Sequence, residues 1–158
     1  MIERAKGRLK KGAAITALAI ALVGGFEGLR TVAYRDVVGV PTVCFGEARG
    51  VKMGDRYSAD ECKAMLGDGL RDFEDGMRKC LAAPNSIPDK PYVAFISLSY
   101  NIGVRAFCGS SVARLANAGD LKSACNAITA WNKAGGRVIA GLVKRRAEER
   151  KLCLEGLQ

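Results

Sequence analysis

A charge-free run, AAITALAIALVGGF at positions 13–26, constrains this chain more than any other stretch. Its apolar surface is costly in water, so it is removed, held in a membrane or packed inside the fold. Arg4, Lys6, Arg8, Lys10 and Lys11 precede it. A basic stretch before an apolar one has the layout of a signal peptide, and it also obeys the positive-inside rule for an anchor. The run is shorter than the roughly 20 residues of a comfortable span. Its many Ala residues, with Gly24 and Gly25, make it only weakly hydrophobic. No clear Ala-x-Ala site precedes a polar mature start, and the run leads straight into Glu27. A buried first helix is the competing reading.

The cysteines favour export. Cys44, Cys62, Cys80, Cys108, Cys125 and Cys153 make an even set that fits three disulfides and an oxidising compartment. The alternative is six buried thiols. No CxxC spacing occurs, which leaves zinc ribbons and redox motifs poorly supported. Histidine is absent, so acid–base chemistry falls to carboxylates, Lys, Tyr or Cys. No metal or cofactor site is read. A net charge of +9, from 25 basic and 16 acidic residues, draws the chain to polyanions without choosing among them. No recognisable nucleic-acid-binding motif accompanies it.

The rest reads as one domain. Val37, Val38, Val40, Thr42, Val43 and Phe45, broken by Gly39 and Pro41, predict a small hairpin over 34–45. Ser58 to Glu61 forms a capping-box pattern. Cys62, Met65, Leu66, Leu70, Phe73, Met77 and Cys80 then recur at helical spacing, predicting a long helix over about 59–80. Residues 92–100 are apolar nearly all round, as in a central buried helix that ends at Asn101 and Gly103. Ser110 or Ser111 begins a short helix and Asp120 another, through to Trp131. Gly135-Gly136 is a turn, and a last helix spans about 138–155. The fold class is α+β: a small β-containing N-terminal lobe, a long linking helix and an all-helical C-terminal lobe.

The chemistry concentrates in FEGLRTVAYRDVVGVPTVCFGE, residues 26–47. Glu27 ends an apolar helix, where partial desolvation would raise its pKa and keep it protonated. Asp36, in a turn, would stay solvated and ionised. Two carboxyls in opposed settings suit glycoside hydrolysis, with one donating a proton and the other serving as base, nucleophile or electrostatic partner. The Thr42 hydroxyl can position a water. By spacing alone, a Glu and an Asp are more often two surface carboxylates.

The ordered motifs decide between these readings. Glu27-Gly-Leu-Arg, Tyr34-x-Asp36 and Gly39-x-x-Thr42-x-x-x-Gly46 resemble the phage lysozymes of the T-even type, glycoside hydrolase family 24. Ser99-Tyr-Asn-Ile-Gly103, Ala116-Asn-Ala-Gly-Asp120, Trp131-Asn-Lys-Ala-Gly-Gly136 and Gly141-Leu-Val-Lys-Arg-Arg146 continue the resemblance, which covers roughly 26–155. It implies a lysozyme-like fold and an endolysin that cuts the β-1,4 bond between N-acetylmuramic acid and N-acetylglucosamine in peptidoglycan. It implies Glu27 as the general acid, Asp36 as holder of the attacking water or stabiliser of the cationic transition state, and Thr42 as positioner of that water. The family is usually described as inverting. Glu47 is a departure, since many relatives carry His there.

The apolar N-terminus without a clean cleavage site resembles the signal-arrest-release subgroup. That implies residues 1–26 as a basic flank and weak anchor, and 27–158 as the catalytic domain. It implies a location first at the periplasmic face of the host inner membrane, through residues 13–26, and then in the periplasm as a monomer. Of the fifteen pairings that six cysteines allow, lobe neighbours favour Cys44–Cys62, Cys80–Cys108 and Cys125–Cys153. Cys44 lies two residues after Thr42, so it is either a structural bridge or a regulatory thiol. Lys144, Arg145, Arg146, Arg150 and Lys151 are expected to hold the anionic wall, and Trp131 to belong to the core or stack on sugar. Two alternatives remain open here: a lytic transglycosylase on the same bond, and a non-enzymatic basic module binding membrane or wall.

Overall fold

The computed structural model describes residues 7–10 and 13–158, so Arg4, Lys6 and Lys11 of the basic flank lie outside the described residues. The charge-free run forms α1, Ala13–Glu27, and packs inside the fold. Ile15, Ala19, Val23 and Gly24 are buried against α2, Ala59–Cys80, and α3, Asp89–Ile102. Gly24 allows a close approach: a Cβ there would stand 3.1 Å from the Phe45 ring. The exposed side of α1 carries Ala13, Ala14, Ala17, Ala21 and Gly25. No helix among the described residues is long and apolar enough to cross a membrane.

Arg8 and Leu9 are also held to the domain. Leu9 is buried, and its N–H donates to the buried Glu74 carboxylate at 3.2 Å. Arg8 donates to the carbonyls of Pro84 and Ile87, pairs with Asp89 and lies 4.2 Å over the Tyr92 ring.

Gly28, at φ 76°, adopts the left-handed conformation that stops α1. β1, Arg30–Arg35, then pairs antiparallel with β2, Pro41–Cys44, with Tyr34 opposite Thr42. The hairpin starts earlier than its hydropathy predicts. Only Ala33 of β1 is buried, so no apolar alternation marks the strand's beginning.

α2 covers the predicted span. Its capping box is complete: Glu61 N–H donates to Ser58 Oγ at 3.1 Å, and Ser58 N–H donates to Glu61 Oε1 at 3.0 Å. These bonds hold the Glu61 carboxyl below its ordinary value of 4.5. A depressed carboxyl contributes stability above that ordinary value and loses it as pH falls through the folded one. Ser58→Ala is expected to cost about 1 kcal/mol, read as a lower urea midpoint; an unchanged midpoint would show that the cap contributes nothing.

α3 is the centre of the molecule, with every side chain from Pro91 to Ser99 buried. Burying such apolar side chains contributes about 1.5–3 kcal/mol each. α4, Val104–Cys108, and α7, Ala140–Glu155, pack against α3, while α5, Ser111–Asn117, and α6, Leu121–Ala127, pack on each other and against α4 and α7. Ser110 and Asp120 cap α5 and α6 through their side chains. The expectation of an all-helical C-terminal lobe needs one correction. β3, Lys133–Ala134, and β4, Arg137–Val138, form a small hairpin. Gly135 and Gly136, at φ 58° and 78°, turn the chain tightly enough to pair their neighbours.

The disulfides are Cys44–Cys62, Cys80–Cys108 and Cys125–Cys153, the pairing expected from lobe neighbours. They leave no free thiol among the described residues. The first ties the N-terminal hairpin to the linking helix; the other two staple the helical lobe. Each is expected to contribute roughly 3–4 kcal/mol by restricting the unfolded chain.

Candidate active site

Glu27 is the last residue of α1, and its side chain retains 27 % exposure. The desolvated apolar setting expected for it is corrected by an ion pair: Arg145 Nη1 donates to Glu27 Oε1 at 2.8 Å. The Arg145 guanidinium also lies 4.7 Å over the Phe26 ring.

Arg145 is itself anchored. Its Nε lies 3.7 Å from Glu149 Oε2, and Arg146 Nε lies 2.7 Å from Glu149 Oε1. Ser97 Oγ donates to Glu149, and Arg146 Nη2 donates to Asn101 Oδ1 at 2.8 Å. Ser97 and Asn101 belong to α3, so a chain of hydrogen bonds and ion pairs runs from the central helix through α7 to Glu27. Burial pushes the Glu149 carboxyl up, against the pull of Arg146 and Arg145. Burial likewise pushes the Arg146 guanidinium down. Arg145 and Arg146 are almost wholly buried and do not belong to a wall-binding face. The exposed basic side chains of α7 are Lys144, Arg150 and Lys151. Trp131 is half-buried against the core.

Asp36 and Thr42 are brought together by Val40. Asp36 Oδ1 accepts from Val38 N–H and Val40 N–H, both at 2.9 Å. Thr42 Oγ1 donates to Val40 O at 3.0 Å. Asp36 therefore shapes the hairpin turn, while the exposed Val37 and Val38 form its tip. Thr42 is buried at the start of β2, and no hydrogen bond from the described residues is donated to its hydroxyl oxygen. No hydrogen bond among the described residues joins Glu27 to Asp36 or Thr42.

Glu47 and Tyr100 were not placed in one cluster by sequence. Glu47 bonds through its backbone to Val43, and its Oε1 accepts from Arg49 N–H at 3.3 Å. Burial pushes the Tyr100 phenol up; the charges of Glu27 and Glu47 push it the same way, and Arg145 pulls it down. Tyr100 thus feels both acids and the guanidinium. No group of three His, Cys, Asp or Glu side chains among the described residues has the geometry of a metal site.

The Glu27 carboxyl, clamped by Arg145 at the end of α1, and the Asp36 carboxyl, in the turn of the next hairpin, are thus carried by separate elements. The model of the phage lysozyme family matches residues 24–149, which include Glu27, Asp36, Thr42 and Arg145. The chain is 36 % identical over 153 residues to the SAR-endolysin of Enterobacteria phage P21, covering 93 % of this chain and 92 % of that one. Its fold is similar to the active form of the P1 phage endolysin Lyz, with TM-score 0.80, 26 % identity and coverage of 95 % and 90 %. It is also similar to the muramidase domain of SpmX from Asticaccaulis excentricus, with TM-score 0.78, 29 % identity and coverage of 89 % and 97 %. The family match over most of the chain, with Glu27 and Arg145 inside the matched span, makes this protein a lysozyme of the phage lysozyme family.

Proposed function

We propose that this lysozyme hydrolyses the β-1,4 bond between N-acetylmuramic acid and N-acetylglucosamine in bacterial peptidoglycan. Glu27 gives its proton to the glycosidic oxygen as the bond to the leaving sugar breaks. Arg145 holds Oε1, which leaves Oε2 as the proton-bearing oxygen. Asp36 offsets the positive charge developing on the sugar ring or takes a proton from the attacking water. Thr42 accepts a hydrogen bond from that water and orients it. The water's oxygen bonds to the anomeric carbon, so the product carries a reducing end. The Glu27–Arg145 ion pair carries this reading, because it fixes an acid at the end of α1 beside the hairpin that bears Asp36 and Thr42.

The signal-anchor reading extends it. Residues 13–26 begin in the host inner membrane with the catalytic domain, 27–158, at the periplasmic face. The segment then leaves the bilayer and becomes α1, delivering Glu27, and the enzyme acts in the periplasm as a monomer. The weak hydrophobicity of the run, its packing as α1 and its SAR-endolysin relatives support this order.

The test is digestion of purified Gram-negative peptidoglycan followed by mass analysis of the fragments. Reducing ends are expected. Anhydro sugar ends would transfer the reading to a lytic transglycosylase, and no cleavage by folded, lipid-free protein would transfer it to a binding module.

A further inference from the structure

Cys44 is the single non-glycine residue with positive φ among the described residues, at 61°. An L-residue with a side chain pays a steric cost there that glycine does not. Such outliers persist where the surroundings over-determine them, and they gather at functional sites.

Cys44 is the last residue of β2, buried, and two positions beyond Thr42. The turn it begins is closed by reciprocal backbone bonds between Val43 and Glu47, at 2.8 and 2.9 Å. Its sulfur is bonded to Cys62, with the two Cα atoms 4.9 Å apart. Cys62 is fully buried in the first turn of α2, so the cross-link ties the turn to the most regular element of the fold. Cys44, Cys62, Glu47 and Tyr100 together line a cavity of about 20 Å³. The cysteines of the other two disulfides all have negative φ.

We propose that the Cys44–Cys62 disulfide is a positioning element of the active site. It holds residue 44 left-handed in place of a glycine, and thereby sets the direction of β2 at Thr42 and the place of Glu47 beside Tyr100. Without the bond, a side-chain-bearing residue 44 relaxes towards negative φ, and the strand and turn follow it. The other two disulfides staple the helical lobe and lie outside the hairpin that bears Thr42. This inference rests on the proposed role of Thr42.

Three double variants test it on peptidoglycan, with kcat, KM and Tm measured for each below its own melting transition. Cys44→Ala/Cys62→Ala is expected to lose about 10-fold or more in kcat, the scale on which small misplacements act. Cys44→Gly/Cys62→Ala removes the same bond but restores a residue suited to positive φ. It is expected to keep kcat within about twofold of wild type while its Tm still falls. Cys125→Ala/Cys153→Ala is expected to lower Tm and leave kcat unchanged. A folded glycine variant with kcat as low as the alanine variant overturns the proposal, as does full kcat in the alanine variant. Should the alanine variant not fold, the glycine variant against wild type decides alone. Failure of the hydrolase reading is separate, because wild type itself would then leave no reducing ends.

Discussion

Glu27→Gln is expected to lower peptidoglycan cleavage by about 10²–10⁴-fold, the contribution of a positioned general acid. The substitution is nearly isosteric. The amide oxygen of Gln still accepts from Arg145, which donates to Glu27 Oε1 at 2.8 Å. The end of α1 and its stop at Gly28 are untouched, so circular dichroism and melting should stay close to wild type. The loss then reports the missing proton rather than a displaced helix. Turbidity clearing of wild type beside the variant measures it, and a loss smaller than about 10-fold would remove Glu27 from the role of acid.

The second large effect is on stability. Glu149→Ala is expected to cost about 3–5 kcal/mol, the penalty for leaving a buried charge unpaired. For a domain of this size that is a drop of roughly 6–20 °C in Tm. Glu149 is fully buried; it faces Arg146 at 2.7 Å and Arg145 at 3.7 Å and takes a bond from Ser97. Its removal strands Arg146 and loosens Arg145 on Glu27, so activity falls with stability. Burial outweighs the arginines in setting the Glu149 carboxyl, which is raised above 4.5. The folded state therefore binds this proton more tightly than the unfolded chain. Its contribution is full below about 4.5 and is lost as pH rises through the raised value. Glu149→Gln should flatten that slope. A Tm within two or three degrees of wild type for Glu149→Ala would mean that water already reaches the Arg146 guanidinium.

The local devices of this fold are legible in the chain. Ser58 and Glu61 announce the start of α2, and apolar spacing carries it to Cys80, because capping and amphipathic periodicity are properties of neighbouring residues. The apolar run over 92–100 declares a helix buried all round. The catalytic candidates follow from motif order, with Glu27, Asp36 and Thr42 spaced as in the phage lysozymes. The first strand was harder to see. Its one buried residue, Ala33, leaves no alternation to read, and pairing with β2 alone makes Arg30–Arg35 a strand.

Residues 140–155 show the boundary between the two kinds of information. Their charges at spacings of three and four specify a helix, and in solution would serve equally as a solvated basic face. The sequence by itself determined α2, α3, α5, α6 and α7, the caps at Ser58, Ser110 and Asp120 and the turn at Gly135-Gly136, and it singled out Glu27 as the candidate acid. Tertiary structure alone decided that Arg145, Arg146 and Glu149 turn inward onto α3 and Glu27, and that Cys44 takes a conformation its side chain disfavours. Local propensity depends on residues a few positions apart, whereas Glu27 and Arg145 lie 118 positions apart. Only burial brings them together and removes enough water for the charge on one to fix the place of the other.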